Sequence, residues 1–336
     1  MFWLTVKNCF ILFALIFSII FTGQPALAWN GHGHRVIASM AFLRLAPDRR
    51  LEIANRIRKH PRWQKDFADK MPPAIKFANA QTQAEWIFQQ ASIWPDTTES
   101  FPSAERKKYS HGTWHYVNII AYLDPSDKNA IGPIESNLST QPPKGLTEYM
   151  YMNVIQAIEF ARLRVAGTVT VSAEDDALML CWLLHSYSDF HQPLHSTAMF
   201  SKTLLPTGCR GGNLIPTTQS KNLHSLWDGL LGNDNAYQTC HNQAVKMLAD
   251  NELAENGRAA SFDVTTEAVA NESHSACLVF VYADEVKAHL QRLEQAGETR
   301  VAEINLSQVY LKAAGATAKS QANKAGWRLG EVLKAN

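Results

Sequence analysis

Two histidine–aspartate pairs stand at the same spacing, His185 with Asp189 and His224 with Asp228. Residues four apart on a helix share one face a turn apart, so each pair has the reach to grip one metal ion. Neutral imidazole and carboxylate are the usual nitrogen and oxygen donors for Zn2+. A plain surface ion pair has the same spacing, and the metal reading gains weight from neighbouring residues. After Asp189 the chain runs His191-Gln192-Pro193-Leu194 to His195, and the proline should end a helix and turn His195 back toward the same cavity. Trp94-Pro95-Asp96 falls at a helix end, where a simple stop and turn would also account for it. His111-Gly112-Thr113-Trp114-His115-Tyr116 adds two further imidazoles. Trp29-Asn30-Gly31-His32-Gly33-His34 adds the last cluster. If the chain is cut after Ala28, the α-amine and carbonyl oxygen of Trp29 can close a chelate ring. The glycines then let a nearby histidine complete the site. The alternative for that segment is a flexible polar terminus.

The elements that must position these residues are mostly helical. An apolar run from Cys9 to Thr22 follows Lys7 and leads to Ala26-Leu27-Ala28, the layout of a secretory signal over residues 1–28 rather than a membrane anchor. The single domain expected is then 29–336, secreted or periplasmic. The chain has 336 residues, 46% hydrophobic and 19% charged, a globular composition. Thirty-two basic against 31 acidic side chains give +1, so no global positive field gathers polyanions, and any such partner must be held locally. The signal and the lack of a basic patch along the sequence argue against a DNA-binding regulator. Apolar spacing predicts helices over Gly33–Arg44, Gln81–Ile93, Leu146–Val165, Ala173–Ser188, Leu223–Leu231, Tyr237–Asn251 and Ala276–Glu294, with another after Leu306. Leu123–Lys144 and Ser196–Lys221 read as long loops bordering a site, and Thr168–Val171 is the only strand candidate. Among Cys181, Cys209, Cys240 and Cys277 an oxidising compartment allows three pairings. Cys209–Cys240 is the expected disulfide, and Cys181, in an apolar run, is expected to be a small buried hydrophobe. Asn137, Asn271 and Asn305 each begin an Asn-x-Ser triplet, relevant only in a glycosylating cell.

Together these motifs resemble the type I single-strand nucleases, the nuclease S-one/P-one family, and the related zinc-dependent phospholipases C. The resemblance rests on Trp29 with Gly33-His34, Ala91-Ser92-Ile93-Trp94-Pro95-Asp96, Trp114-His115-Tyr116 and His185 through Asp189 to His195. It continues through Gly211-Gly212-Asn213, Asn222-Leu223-His224 and Trp227-Asp228. It implies a mainly α, single compact helical domain with long loops around a trinuclear zinc cleft. One zinc would be held by Asp96, His115, His185 and Asp189, a second by His195, His224 and Asp228, and a third by Trp29, His34 and Asp189. Asp189 would bridge two metals, and Asp96 would face the reacting water as the catalytic residue. His32, His111 and His191 receive no ligand role.

The implied activity is cleavage of single-stranded RNA and DNA and removal of 3′-phosphate from nucleotides. Zinc brings the pKa of bound water to about 7, and paired metals about 3.5–4 Å apart stabilise attacking and leaving oxygens. Three carboxylates against three dications leave the site cationic, which draws in phosphate without a basic groove. Tyr116, beside His115, would stack a base or serve as a core tyrosine. Asn213 would read a base edge or support a turn. No stable protein partner is implied, and a monomer is expected. The sequence departs from the family where an arginine usually follows the motif aspartate by three residues, since Asp96 is followed by Thr97, Thr98 and Glu99. An acid there disfavours polymer cleavage unless a cation such as Arg210 reaches in. Cys209 stands where relatives carry a polar residue, so a disulfide would fix the Gly-rich loop. The alternatives are a phospholipase C acting on phospholipid head groups and a non-catalytic zinc-binding protein.

Overall fold

Helix dominates because apolar residues recur at helical spacing and side-chain caps start the segments. Asn30, Asn79, Asn153, Ser172, Asn222, Asp250 and Thr265 each accept a backbone N–H in the first turn of the helix they precede. In the computed structural model, residues 29–143 and 148–335 are described; the expected signal over residues 1–28, Lys144, the expected end of a loop, and Leu146, the expected start of a helix, lie outside them. The helices run α1 Gly31–Leu43, α2 Pro47–Ile57, α3 Pro73–Lys76, α4 Ala80–Thr97, α5 Ser103–Tyr109, α6 Asp127–Ile131 and α7 Val154–Val165. They continue with α8 Ala173–Asp189, α9 Leu223–Asp228, α10 Tyr237–Ala249, α11 Asn251–Ala260, α12 Thr266–Ala276, α13 Asp284–Gln295 and α14 Gln308–Ala335. The chain is therefore mainly α, as expected.

Helix α1 is buried from His32 to Phe42 and is packed by α4, α10 and α14, so it forms the middle of the main core. A helix covered on all sides can present polar groups only to a built site, and His34 is one of them. Helix α8 lies between α4 and α7, its acidic first turn of Glu174, Asp175 and Asp176 suiting the positive end of the helix dipole. A second core forms where Leu194, Met199, Leu223 and Trp227 meet Val281, Tyr282 and Val286. The site lies where these layers meet.

Several local expectations give way. Thr168–Val171 is not a strand; the strands are β1 Ile119–Tyr122 and β2 Thr197–Phe200, which pair in parallel with Ile119 opposite Thr197. Neither shows clean polar alternation, because β2 is buried along its whole length, and β2 lies inside the stretch read as a loop. The helix expected from Leu146 is a 3-10 turn, Glu148–Tyr151, followed by α7. Asn153 and Gln156 cap α7 reciprocally, so its start is fixed at Val154. Ala276–Glu294 is interrupted by a π-turn at Cys277–Val281 before α13 begins. Helices α2, α3, α5, α11 and most of α12 were not anticipated, nor was α6 within the Leu123–Lys144 loop.

The Cys209–Cys240 disulfide is absent. All four described cysteines are buried free thiols, and Cys240 belongs to the main core while Cys209 belongs to the second. The Gly-rich loop is held instead by hydrogen bonds to sulfur: Cys209 Sγ lies 2.9 Å from the Tyr282 hydroxyl and accepts the Met199 N–H at 3.3 Å. Cys181 is buried as expected, and burial pushes its thiol pKa up.

His60 links stability to pH. It accepts the Arg62 N–H on Nδ1 at 3.1 Å, lies edge-on to Trp94 with ring centroids 4.4 Å apart, and leaves Nε2 without a partner. Burial pulls its pKa down to about 3. The unfolded chain therefore binds a proton there below about pH 6.5 that the folded chain refuses, and stability falls as pH drops. In urea unfolding between pH 6 and 4, His60→Gln should gain on wild type by about 1.4 kcal/mol per pH unit. A wild-type-to-variant difference that does not change with pH contradicts this.

Candidate metal centre

Five segments converge on one cleft. Helix α8 ends at Asp189, so His185 and Asp189 point from its last turn. Helix α4 carries Asp96 in its own last turn, beyond Pro95, as Trp94-Pro95-Asp96 led one to expect. The third is the parallel ribbon of two short strands, counted as one. His115 precedes β1, His195 precedes β2, and the pairing begins with the Val117 N–H bonded to the His195 carbonyl at 2.8 Å. His195 Nδ1 in turn donates to the His115 carbonyl at 2.6 Å, so the parallel ribbon fixes one histidine against the other.

On the fourth segment, the Asn222 cap starts α9, which presents His224 and Asp228 one turn apart. His224 Nδ1 donates to the Gly211 carbonyl at 2.6 Å. Gly211 has φ +56°, and a Cβ there would stand 2.8 Å from the Leu194 carbonyl oxygen, so the loop can pass this close only as glycine. The fifth segment is the start of α1. Trp29 is fully buried, its indole donating to the Ser188 carbonyl at 3.1 Å, and the Asn30 N–H bonds the Asp228 carbonyl at 3.2 Å. A Cβ on Gly33 would fall 2.8 Å from the Trp29 Cβ, so glycine also lets the Trp29 segment fold back over the helix.

The result is three groups whose donor atoms lie within 4.8 Å of one another: His34 with His185 and Asp189, Asp96 with His115 and His185, and His195 with His224 and Asp228. Asp189 is shared out at its two oxygens. Oδ1 faces His34 Nε2 at 3.1 Å, while Oδ2 faces His115 Nδ1 at 2.9 Å and His185 Nε2 at 3.1 Å. His195 Nε2 is 3.1 Å from His224 Nε2, which is 3.5 Å from Asp228 Oδ2. Eight of the nine expected ligands thus meet by their side chains, and Trp29 lies beside them.

The donor set fits cations. His34 Nε2, Asp96 Oδ1 and Asp189 Oδ1 are buried without a hydrogen-bond partner, a costly arrangement that a cation relieves. Outer partners fix which imidazole nitrogen faces the cleft. His34 Nδ1 lies 2.6 Å from Ser188 Oγ and His185 Nδ1 donates to the Ser92 carbonyl at 2.7 Å. Nε2 of His34, His185, His195 and His224 is thereby turned inward.

Electrostatics follow from burial and crowding. Burial pulls His34 down and pulls His195 down to about 3, with nearby imidazoles adding to the effect. Burial also opposes charge on His185, but the Asp189 and Asp96 carboxylates outweigh it and raise His185 well above the usual histidine range. Burial acts on Asp189 too, and there the facing histidines win, holding it well below the carboxylate range. Asp228 goes the other way, raised by burial and then by repulsion from Asp189 and Asp96, against the Gln192 hydrogen bond. Metal binding must displace protons from this set.

Other sequence candidates fall nearby or apart. Tyr116 is half-buried next to His115, its carbonyl accepting the Val154 N–H at 3.1 Å. Asn213 supports the turn into α9, donating to the Arg210 carbonyl at 2.9 Å and accepting from Asn222 Nδ2 at 3.3 Å. Arg210 is exposed at φ +53°. Glu99 accepts the Ser110 hydroxyl, tying the end of α4 to the segment that carries His115. His32 is engaged by the Asp234 carbonyl and Gln243, His111 stacks on Trp114, and His191 lies between the Tyr187 carbonyl and Arg328.

Sequence reasoning missed Gln192. Its fully buried amide donates to Asp228 Oδ1 at 2.8 Å and accepts the Leu194 N–H at 2.6 Å, joining the turn after α8 to α9. The signal was its place between Asp189 and the turn-forming Pro193.

A helical fold wrapped around a buried cluster of imidazoles and carboxylates defines a protein with three side-chain groups able to hold metal ions. A family model described as S1/P1 Nuclease matches residues 29–336, and the chain belongs to that family. Membership makes it a nuclease-type phosphodiesterase of a zinc-dependent family. Among curated proteins no match is found.

Gln192→Ala frees Asp228 Oδ1 and should weaken zinc binding by about 10- to 100-fold in chelator competition. Gly211→Ala should do the same by displacing His224. Wild-type affinity in both variants contradicts the positioning assigned to them.

Proposed function

We propose that the protein is a secreted three-zinc enzyme that cleaves single-stranded RNA and DNA and removes 3′-phosphate from nucleotides. The observation that carries this reading is the carboxylate of Asp189, set between His34 on one oxygen and His115 with His185 on the other. One zinc is assigned to Asp96, His115, His185 and Asp189, a second to His195, His224 and Asp228, and a third to the α-amine and carbonyl of Trp29 with His34 and Asp189. When bound, zinc supplies Lewis acidity and water with a pKa of about 7.

The chain's own groups do the rest. Asp96 is the most accessible of the three carboxylates, its side chain 14% exposed against 0% for Asp189 and 10% for Asp228. It is therefore the carboxylate positioned to hold the proton of an entering water at the cleft mouth. Tyr116, half-buried next to His115, is the residue assigned to stack an unpaired base, which would favour single strands. Asn213, its amide engaged by the Arg210 carbonyl and Asn222, orders the loop that carries the His224 partner Gly211 and serves substrate by holding that loop. Glu99, engaged with Ser110, adds no positive charge to the phosphate, so the metals carry the electrostatic work.

Processing belongs to the same account. Trp29 can offer its α-amine only after removal of residues 1–28, so a version retaining a few residues before Trp29 should bind one zinc fewer and lose most activity. Equal zinc content and turnover in the extended and processed forms would refute the N-terminal ligand.

Asp96→Ala should abolish turnover of single-stranded RNA and of a 3′-nucleotide; normal activity in that variant overturns the mechanism. Wild-type enzyme assayed beside these on phosphatidylcholine micelles separates the remaining readings. Lipid-only hydrolysis replaces the nuclease with a phospholipase C, and bound zinc with no hydrolysis at all replaces it with a metal-binding protein.

A further inference from the structure

The connection between α9 and α10, residues 229–236, wraps the start of α1. Asn30 Nδ2 donates to the Gly232 carbonyl at 2.7 Å and to Asn233 Oδ1 at 2.6 Å, while Asn30 Oδ1 accepts the Gly33 N–H at 3.1 Å. His32 is buried, its Nδ1 donating to the Asp234 carbonyl at 2.6 Å and its Nε2 lying 2.9 Å from Gln243 Oε1. Three consecutive residues, Gly232, Asn233 and Asp234, thus hold the segment that follows Trp29.

The connection is shaped for this grip. Gly232 has φ +128°, and a Cβ there would stand 3.0 Å from His32 Nε2. Asp234 spends its carboxylate on the start of α10, accepting the Ala236 N–H at 2.9 Å and the Thr239 hydroxyl at 2.6 Å, which leaves its carbonyl for His32. Gln243, in the second turn of α10, donates Nε2 to the Leu231 carbonyl at 2.9 Å. That bond sets the orientation of the amide and presents its oxygen to His32.

The consequence falls on Trp29. Its carbonyl and the Asn30 N–H belong to one planar peptide unit, so whatever fixes the N–H also fixes the direction of the carbonyl. The N–H is bonded to the Asp228 carbonyl at 3.2 Å, and the Asn30 side chain is tied to the connection on from there. The Trp29 indole, anchored on the Ser188 carbonyl, holds the ring but leaves that peptide plane free to turn. An amine and a carbonyl close a five-membered chelate only when both face the same ion, so the setting of this plane decides whether the pair can act together.

We propose that the α9–α10 connection, braced by Gln243, is the positioning element for the processed N-terminus, setting the Trp29 amine and carbonyl against Asp189. The proposal rests on the assignment of Trp29 as a zinc ligand. Asn30 and Gln243 are positioning residues in it, and His32, which has no ligand role, is the bolt between them. The same connection leads out of the helix that carries His224 and Asp228, so docking of the terminus is coupled to the far side of the cleft.

The test uses two variants. Gln243→Ala removes the brace from α10, and Asn30→Ser keeps an oxygen to cap α1 while dropping the donor to Gly232 and Asn233. Each is made in the processed protein and in a form that retains a few residues before Trp29, and bound zinc per chain is counted across a chelator series. In the processed protein each variant should release one zinc at roughly tenfold lower chelator concentration, with the other two held as in wild type. In the extended form neither variant should change the count, because no free terminus is there to be placed. A loss of equal size in both forms marks a role in folding alone and overturns the proposal, as does a chelator series unchanged in both variants. Failure of the underlying ligand assignment shows separately, as identical zinc counts in the processed and extended wild-type forms, and takes the proposal with it.

Discussion

Everything at the centre of this molecule depends on keeping the Asp189 carboxylate ionised where water cannot reach it. An unpaired carboxylate in such a place would take up a proton or unfold the site. Here each oxygen is faced by imidazole nitrogen, and the opposing charges pull Asp189 down and push His185 up despite burial. That mutual stabilisation belongs to the protonated, metal-free form. His34 Nε2, Asp96 Oδ1 and Asp189 Oδ1 lie at ion-pair distance from their neighbours yet make no hydrogen bond, the arrangement of donors that a cation would complete.

The surrounding architecture follows from that requirement. Helix α8 supplies His185 and Asp189 from one turn, and the four-residue parallel ribbon exists to hold His115 beside His195. Gln192 joins the end of α8 to Asp228, and Gly211 lets a loop come close enough to orient His224. These contacts link the main core to the second core across the cleft, so the cleft residues fasten the two layers together. Bound cations should then contribute to folding stability as well as to chemistry.

The residues that gather at the cleft were legible in the sequence: four-residue spacing brought out His185 with Asp189 and His224 with Asp228, and the family resemblance pointed to Asp96, His115, His195 and His34 beside them. The helical class was legible through periodicity. What failed was what spacing does not encode. The strands are too short and too buried to alternate, and the break at Asn153 depends on a reciprocal cap with Gln156. Cys209 looked like a disulfide partner in a polar loop, yet the fold turns it inward onto Tyr282 and away from Cys240. Gln192 and the Ser92 carbonyl act through partners far away in sequence. Long-range convergence of that kind appears only once the chain is folded.

Anomalous diffraction at the zinc edge from crystals of the processed protein tests the proposed assignment of ligands to metals most directly. Three peaks are expected: one between Asp96, His115, His185 and Asp189, one between His195, His224 and Asp228, and one joining Trp29 and His34 to the other oxygen of Asp189. Fewer peaks, or a peak set in which Asp189 bridges no pair, would contradict it.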